Sequence, residues 1–365
     1  MNSTLLRCLN DLEERIDSDE ETRLHREWTD FAEGSHGEGV FAPRRAKVRP
    51  PRTEWPKVGI NDALEDFDLM ALHQYRLCSD LLASGGGNLL QVRANYGTPI
   101  IPSLFGAKLF VMPREADTLP ANWPLGEDGV LRLLDHGVPD VLGALGGCAL
   151  GMGAHYREIG ADWPKIGQFV QIYHPDAQGP MDLCELLWGS TLFCALIEKP
   201  DRVRALLELV TQTYYEFLQA WQGVCPFHPG CNPHWGMLVK GAIFLREDSC
   251  MNLSPGMVRE FVVPHDQRLL REFGGGAVHF CGHGDHFVDL LTAMDGVSAV
   301  NISQPELNDM ETIFRATIDR GINLIGLAPV AVEQALASGR PLHGRVHQAG
   351  QVLRGDAPSA ERRAP

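Results

Sequence analysis

Apolar positions along the chain follow two alternating periods. Short runs rich in β-branched and aromatic residues read as strands, and longer segments with apolar residues three and four apart read as helices. Residues 89–95 (LLQVRAN) form a predicted strand ending at Arg93 and Asn95, and residues 169–174 (FVQIYH) form another. Helices are predicted over 181–197 and 201–222, the second opened by Pro200-Asp201. One apolar strand covers 237–245 and is closed by Arg246-Glu247-Asp248. A helix then enters through Ser254-Pro255, a capping residue followed by proline at the first helical position. Three further strand–helix units follow: 277–281 with 285–294, 297–303 with 308–319, and 322–327 with 330–337.

Strands that alternate with helices imply a parallel sheet with helical crossovers. The expected fold class is α/β, a (β/α)8 TIM barrel, with an open doubly wound sheet as the other topology that fits. The barrel is preferred because the periodic region is long enough for eight units, and because chemically rich side chains recur where strands end: Arg93, His174, Asp176, Asp248, His279, Cys281, Asn301 and Gln304. In a barrel those ends converge on one mouth. Residues 1–60 read as an N-terminal extension, part weakly periodic helix and part proline-rich basic arm (APRRAKVRPPRTEWP). Residues 61–345 read as the barrel and 346–365 as a disordered tail.

Composition narrows the partners. With 44% hydrophobic and 22% charged residues the chain is globular rather than disordered. Its 32 basic and 47 acidic residues leave a net charge of −15, which argues against nucleic acid and anionic membranes. No apolar stretch reaches the roughly 20 residues of a membrane span. The first residues turn acidic without an apolar export signal. Nine scattered cysteines then read as reduced thiols of a cytoplasmic protein.

The densest chemistry lies in GGGAVHFCGHGDHF, residues 274–287. His279 and Cys281 are two apart at a strand end and so share a face. Imidazole and thiolate together suit zinc. Gly282 and Gly284 allow a tight turn, after which His283, Asp285 and His286 open the next helix. The bland alternative is a core histidine and cysteine.

At this motif the chain resembles the uroporphyrinogen decarboxylase superfamily, and more narrowly its zinc-dependent, corrinoid-linked methyltransferase branch. The residues that carry the resemblance are QGPMDLCELLWG (178–189), REDSCMNLSPGMVREFVVPHDQRLL (246–270) and VHFCG (278–282), within a span of about 90–340. The resemblance implies a (β/α)8 barrel with its site at the strand carboxyl ends, and zinc held by the His and Cys of His-x-Cys plus a second cysteine near the last strand. The first two carry over to His279 and Cys281. The third does not, because no cysteine follows Cys281 and the last strand reads INLIGLAP. A histidine from outside the motif is the expected replacement, His234 ahead of His174, with His283, Asp285 and His286 as the nearby candidates. The arginine-rich N-terminal motif of the decarboxylase branch is not found.

The expected function is therefore a zinc-dependent methyl or alkyl transferase, with a methylcorrinoid carried by a partner protein as donor. A decarboxylase-type lyase and a non-catalytic ligand-binding barrel are the alternatives. His174, Asp176 and Asp248 are the expected catalytic groups. Arg93, Tyr96, Gln178, Asp285, His286, Asn301 and Gln304 are the expected substrate contacts, and His279, Cys281 and His234 the metal ligands. For Asp176, capping of the next helix is an equal alternative; for Asn301 and Gln304 it is satisfaction of a loop. Expected partners are a small-molecule substrate, a corrinoid protein and further copies of the chain in a homo-oligomer.

Overall fold

The computed structural model describes residues 1–350, and in it the alternating pattern becomes a mixed α/β fold on parallel strands. The strands are β1 (Val40–Phe41), β2 (Gln91–Val92), β3 (Leu109–Phe110), β4 (Ala121–Asn122), β5 (Gln171–Ile172), β6 (Cys231–His234), β7 (Met237–Lys240), β8 (Ile243–Arg246), β9 (Gly276–Phe280), β10 (Val297–Ile302), β11 (Asn323–Leu327) and β12 (Val346–Gln348). Six of them form one sheet in the order β1-β12-β11-β10-β9-β8, with every neighbouring pair parallel. β2 and β5 form a separate parallel pair. β3 with β4 and β6 with β7 are antiparallel pairs. No single helix among the described residues is long and apolar enough to cross a membrane.

Both faces of the six-stranded sheet are covered, which is why its strands read as apolar runs rather than as clean alternation. Period-two geometry still sorts the side chains. Leu245, Val278, Phe280, Val300 and Leu324 belong to the large core shared with the helices. Phe244, Ala277, Ala299 and Ile325 belong to a second, smaller core. That inner core is filled from one side by Leu24, Trp28 and Phe31 of helix Ser18–Ala32, and from another by Met237, Leu238 and Val239 of β7. Trp28 meets Phe41 edge to face at 4.9 Å and donates its indole N–H to the Gly87 carbonyl (2.9 Å).

Several expected boundaries are corrected by this packing. The single strand expected over 237–245 is two strands. Gly241 adopts φ +100°, and a Cβ there would lie 2.2 Å from the Gly275 backbone, so the chain reverses out of hairpin β6–β7 before entering β8. The helix expected over 181–197 breaks into Pro180–Trp188 and Leu192–Glu198, bent by 105°. The strands at 89–95 and 169–174 keep only two ladder residues each, because helix Pro164–Phe169 takes the start of the second and the backbone beyond β2 turns to side-chain partners such as Gln74.

The N-terminal 60 residues are not an appendage. Ser3–Arg15 and Ser18–Ala32 are well-formed helices, and β1 pairs with β12. In the basic arm Arg45 is buried against Glu21 (2.7 Å), and Arg15 joins Asp11 (2.9 Å), Ser79 and the Arg49 carbonyl. At the other end, residues 346–348 of the expected tail are β12, paired between β1 and β11; the tail expected beyond 350 lies outside the described residues.

Helix Val263–Glu272 brings Asp266, fully buried, against Glu247 at the end of β8. Burial pushes the Asp266 carboxyl up to about 7, and burial beside Asp266 and Asp182 holds the Glu247 carboxyl well above the usual range. A carboxyl raised on folding costs stability as pH climbs from about 4 to about 7, and the cost persists above that. Asp266→Asn removes it. The stability gap between variant and parent should widen in favour of the variant by about 2 kcal/mol between pH 5 and pH 8. Denaturant unfolding at the two pH values checks this; a gap that does not change with pH would refute it.

Candidate functional site

The polar row at the carboxyl ends of the sheet is set by register. Arg246 of β8 lies beside His279 of β9, and His279 beside Asn301 of β10. All three stand on the face whose previous layer is Phe244, Ala277 and Ala299. Alanines at 277 and 299 leave room for larger side chains below the row, and Trp235 of the β6–β7 turn fills it. Its ring packs 5.0 Å from Phe244, 5.1 Å from His279 and 4.5 Å from the Arg246 guanidinium. Trp235 holds φ +49°, a left-handed conformation uncommon for an aromatic residue.

One tautomer of His279 is fixed by its neighbours. Asn301 Nδ2 donates to the Ile325 carbonyl (2.6 Å), which leaves Oδ1 to accept from His279 Nδ1 (2.7 Å). The ring's lone pair is then on Nε2. That atom lies 3.3 Å from Cys281 Sγ and 3.5 Å from Asp248 Oδ1. Asn301 can lie there because residue 326 is glycine at φ +69°; a Cβ would approach its Nδ2 to 2.6 Å. Asp248 is held by the chain on both sides. Its Oδ1 accepts from Cys281 N (2.8 Å), and its own N–H donates to the buried Asp182 carboxyl (3.1 Å). Ser303 Oγ is 3.4 Å from Cys281 Sγ.

Asp248, His279 and Cys281 each offer a ligand atom, all within 4.8 Å of one another. A thiol, an imidazole lone pair and a carboxylate are the donors of a zinc-class site, and Asn301 is the outer hydrogen bond that such a histidine usually has. Burial and the Asp248 charge push the Cys281 thiol up to about 12, and burial lowers His279.

A second cluster adjoins the row. Asp176 pairs with Arg93 and with Arg246, and His234 Nε2 lies 3.6 Å from the same carboxylate. The two guanidiniums hold the Asp176 carboxyl low despite its burial. Arg246 Nε, His234 Nδ1 and the Gln178 side-chain oxygen are buried without a hydrogen-bond partner among the described residues.

The expected residues divide accordingly. Arg93, Asp176, Asp248, His279, Cys281 and Asn301 come together as described, and Gln178 lies buried just before helix Pro180–Trp188. His234, expected as a metal ligand, lies outside the group whose ligand atoms converge. It stacks on Phe244 at 4.4 Å and faces Arg246, while Asp248, expected to handle protons, occupies the third position beside His279 and Cys281. His174 is corrected as an acid–base group. Phe244 N–H donates to its Nε2 (3.1 Å) and its Nδ1 lies on the Pro175 carbonyl (2.9 Å), so both nitrogens are committed, and burial lowers the ring to about 4. Tyr96 is corrected as a substrate contact, because it is buried in the helix-side core. Gln304 accepts from Gly282 N (2.5 Å) and so shapes the loop after β9. Asp285 and His286 lie on that loop with His283 rather than in the row. Arg246 and Asp182 were not expected, whereas the segment 232–241 offers Trp235 with His234 either over a site mouth or as a packed aromatic loop. Arg246 had a sequence signal, the first charge of Arg246-Glu247-Asp248, two residues after Phe244 and so on the same face.

No family model matches the chain, and no curated protein matches it. Among solved structures its fold is similar to that of a methyltransferase from Methanosarcina mazei, with a TM-score of 0.61 and 15% identity over 89% of this chain and 92% of that one.

Cobalt substitution reads the triad directly, because only Cys281 would give a thiolate-to-metal absorption band. That band should titrate at least 10-fold more weakly in Asp248→Asn, His279→Ala and Asn301→Ala, disappear in Cys281→Ser, and be unchanged in His234→Ala. Loss in His234→Ala alone would move the ligand set back to His234.

Proposed function

We propose that this chain is a zinc-dependent methyl or alkyl transferase, working at the mouth of a (β/α)8 barrel made by its eight parallel strands. The observation that carries the reading is the convergence of Cys281, His279 and Asp248 at the carboxyl ends of neighbouring parallel strands. The fold likeness to a methyltransferase agrees with it. Closure of the barrel is supported between the β2–β5 pair and β8, where Gly179 N–H, beyond β5, donates to the Arg246 carbonyl (2.8 Å).

Zinc held by these three residues would supply Lewis acidity, keeping a substrate thiol deprotonated at neutral pH. Asn301 orients His279, and Asp182 fixes the loop that carries Asp248. Trp235 walls the row and excludes water from its inner side. Arg246, with an unpaired Nε, and Arg93 offer hydrogen bonds to an anionic group on the substrate, while Asp176 keeps the two guanidiniums together. The alkyl donor is a methylated corrinoid on a partner protein that docks over the mouth. The arginine pair also favours a second reading, a lyase acting on carboxylated substrates, which would not need Cys281.

The test is methyl transfer from methylcobalamin to small anionic thiols. Cys281→Ser and His279→Ala should lower turnover about 100-fold or more. Arg246→Gln should raise KM for an anionic thiol about 10-fold or more while leaving a neutral thiol nearly unaffected. Release of carbon dioxide from a carboxylated substrate by the Cys281→Ser protein would favour the lyase instead.

A further inference from the structure

The loop after β9 carries more ligating chemistry than the triad uses. His283 Nε2 lies 2.6 Å from Asp285 Oδ1, and the rings of His283 and His286 stack at 5.1 Å. One nitrogen from each histidine and one Asp285 oxygen fall within 4.8 Å of one another. His286 Nε2 lies 3.0 Å from the Leu253 carbonyl and so carries the proton. Its Nδ1 is therefore a lone pair, and it is buried with no partner among the described residues. A buried imidazole nitrogen without a hydrogen-bond partner costs free energy, and this ring stacks on His283, which itself lies against Asp285.

The loop is held in shape by groups that a metal would not displace. Asn308 accepts from Gly284 N (2.7 Å) and donates to the Gly282 carbonyl (2.9 Å), Gln304 accepts from Gly282 N, and Asp309 N–H donates to Asp285 Oδ2 (3.0 Å). Thus the Leu253 carbonyl orients His286, and Asp309 orients Asp285. Each of these two groups has the outer hydrogen bond that tunes a metal ligand, and a metal bound here would replace the direct contact between His283 Nε2 and Asp285 Oδ1.

We propose that His283, Asp285 and His286 form a second metal site, separate from the cysteine-containing triad, that binds a divalent transition metal of the zinc class. Two imidazoles and one carboxylate make a three-ligand nitrogen–oxygen set, with further positions open to water or an anion. Because the loop begins one residue after Cys281, the ion would rigidify the segment that follows the triad cysteine, which Gln304, Asn308 and Asp309 already tie to the next loop.

The experiment is a cobalt titration of the metal-stripped full-length protein, followed by absorbance and by metal analysis after desalting. Wild type should retain two equivalents, only one of them giving the thiolate charge-transfer band. Asp285→Asn and His286→Ala should each drop to one equivalent with that band intact, and the intact band shows that these variants are folded. Cys281→Ser should lose the band and keep the nitrogen–oxygen equivalent. If wild type retains no equivalent without the thiolate band, or if both loop variants match the wild-type stoichiometry, the second site is refuted. Absence of the thiolate band in wild type with a nitrogen–oxygen equivalent still bound would sink the triad reading and leave this site standing.

Discussion

The register of three parallel strands is the constraint on which the rest depends. Arg246, His279 and Asn301 are neighbours only because β8, β9 and β10 pair in step, with Phe244, Ala277 and Ala299 one layer behind them. A slip of one residue would turn the row into the helix-packed core and bring Leu245, Val278 and Val300 into the inner layer. Every polar contact of the triad follows from this alignment. Asn301 reaches His279 across one ladder, and the loops that leave the strand ends bring Asp248 and Cys281 to the same imidazole.

Holding these groups in a dry environment is costly, and the surrounding structure offsets it with hydrogen bonds rather than with solvent. Arg246 shares Asp176 with Arg93 and rests on Trp235; Asp248 is fixed by its own backbone on Asp182 and by Cys281 N. Burial favours the neutral forms of His279 and His174, and their protons are assigned by partners. His279 is held by Asn301 and His174 by Phe244 and Pro175. The same ring chemistry thus leaves a free lone pair at one position, His279 Nε2, and a purely structural brace at another.

The inner face is completed by elements that lie outside the strand–helix repeat. Helix Ser18–Ala32 supplies Trp28 and Phe31, and hairpin β6–β7 supplies Met237, Val239 and Trp235. Without them Ala277 and Ala299 would face a void, since small residues on those strands cannot fill the layer between them. The N-terminal residues are therefore part of the inner core, and the left-handed Trp235 is held where four aromatic or cationic partners surround it.

Local chemistry and the dominant architecture are legible in the order of the residues alone. β-branched runs between amphipathic helices require parallel strands with crossovers, and His279 with Cys281 two residues later requires a shared face. Arg93, Asp176 and Asp248 are legible as polar groups at strand ends for the same reason. Which of them meet was decided only by the tertiary structure. Asp248 rather than His234 completes the triad because a loop anchored on Asp182 turns it inward, while His234 is held under Trp235 by hairpin β6–β7. The split of 237–245 at Gly241, the burial of Tyr96 and the entry of residues 346–348 into the sheet follow from contacts between residues far apart in the chain. Local periodicity carries no record of those contacts. A lone pair's availability, in His174 as in His286, depends on which carbonyl or amide folding places beside the ring.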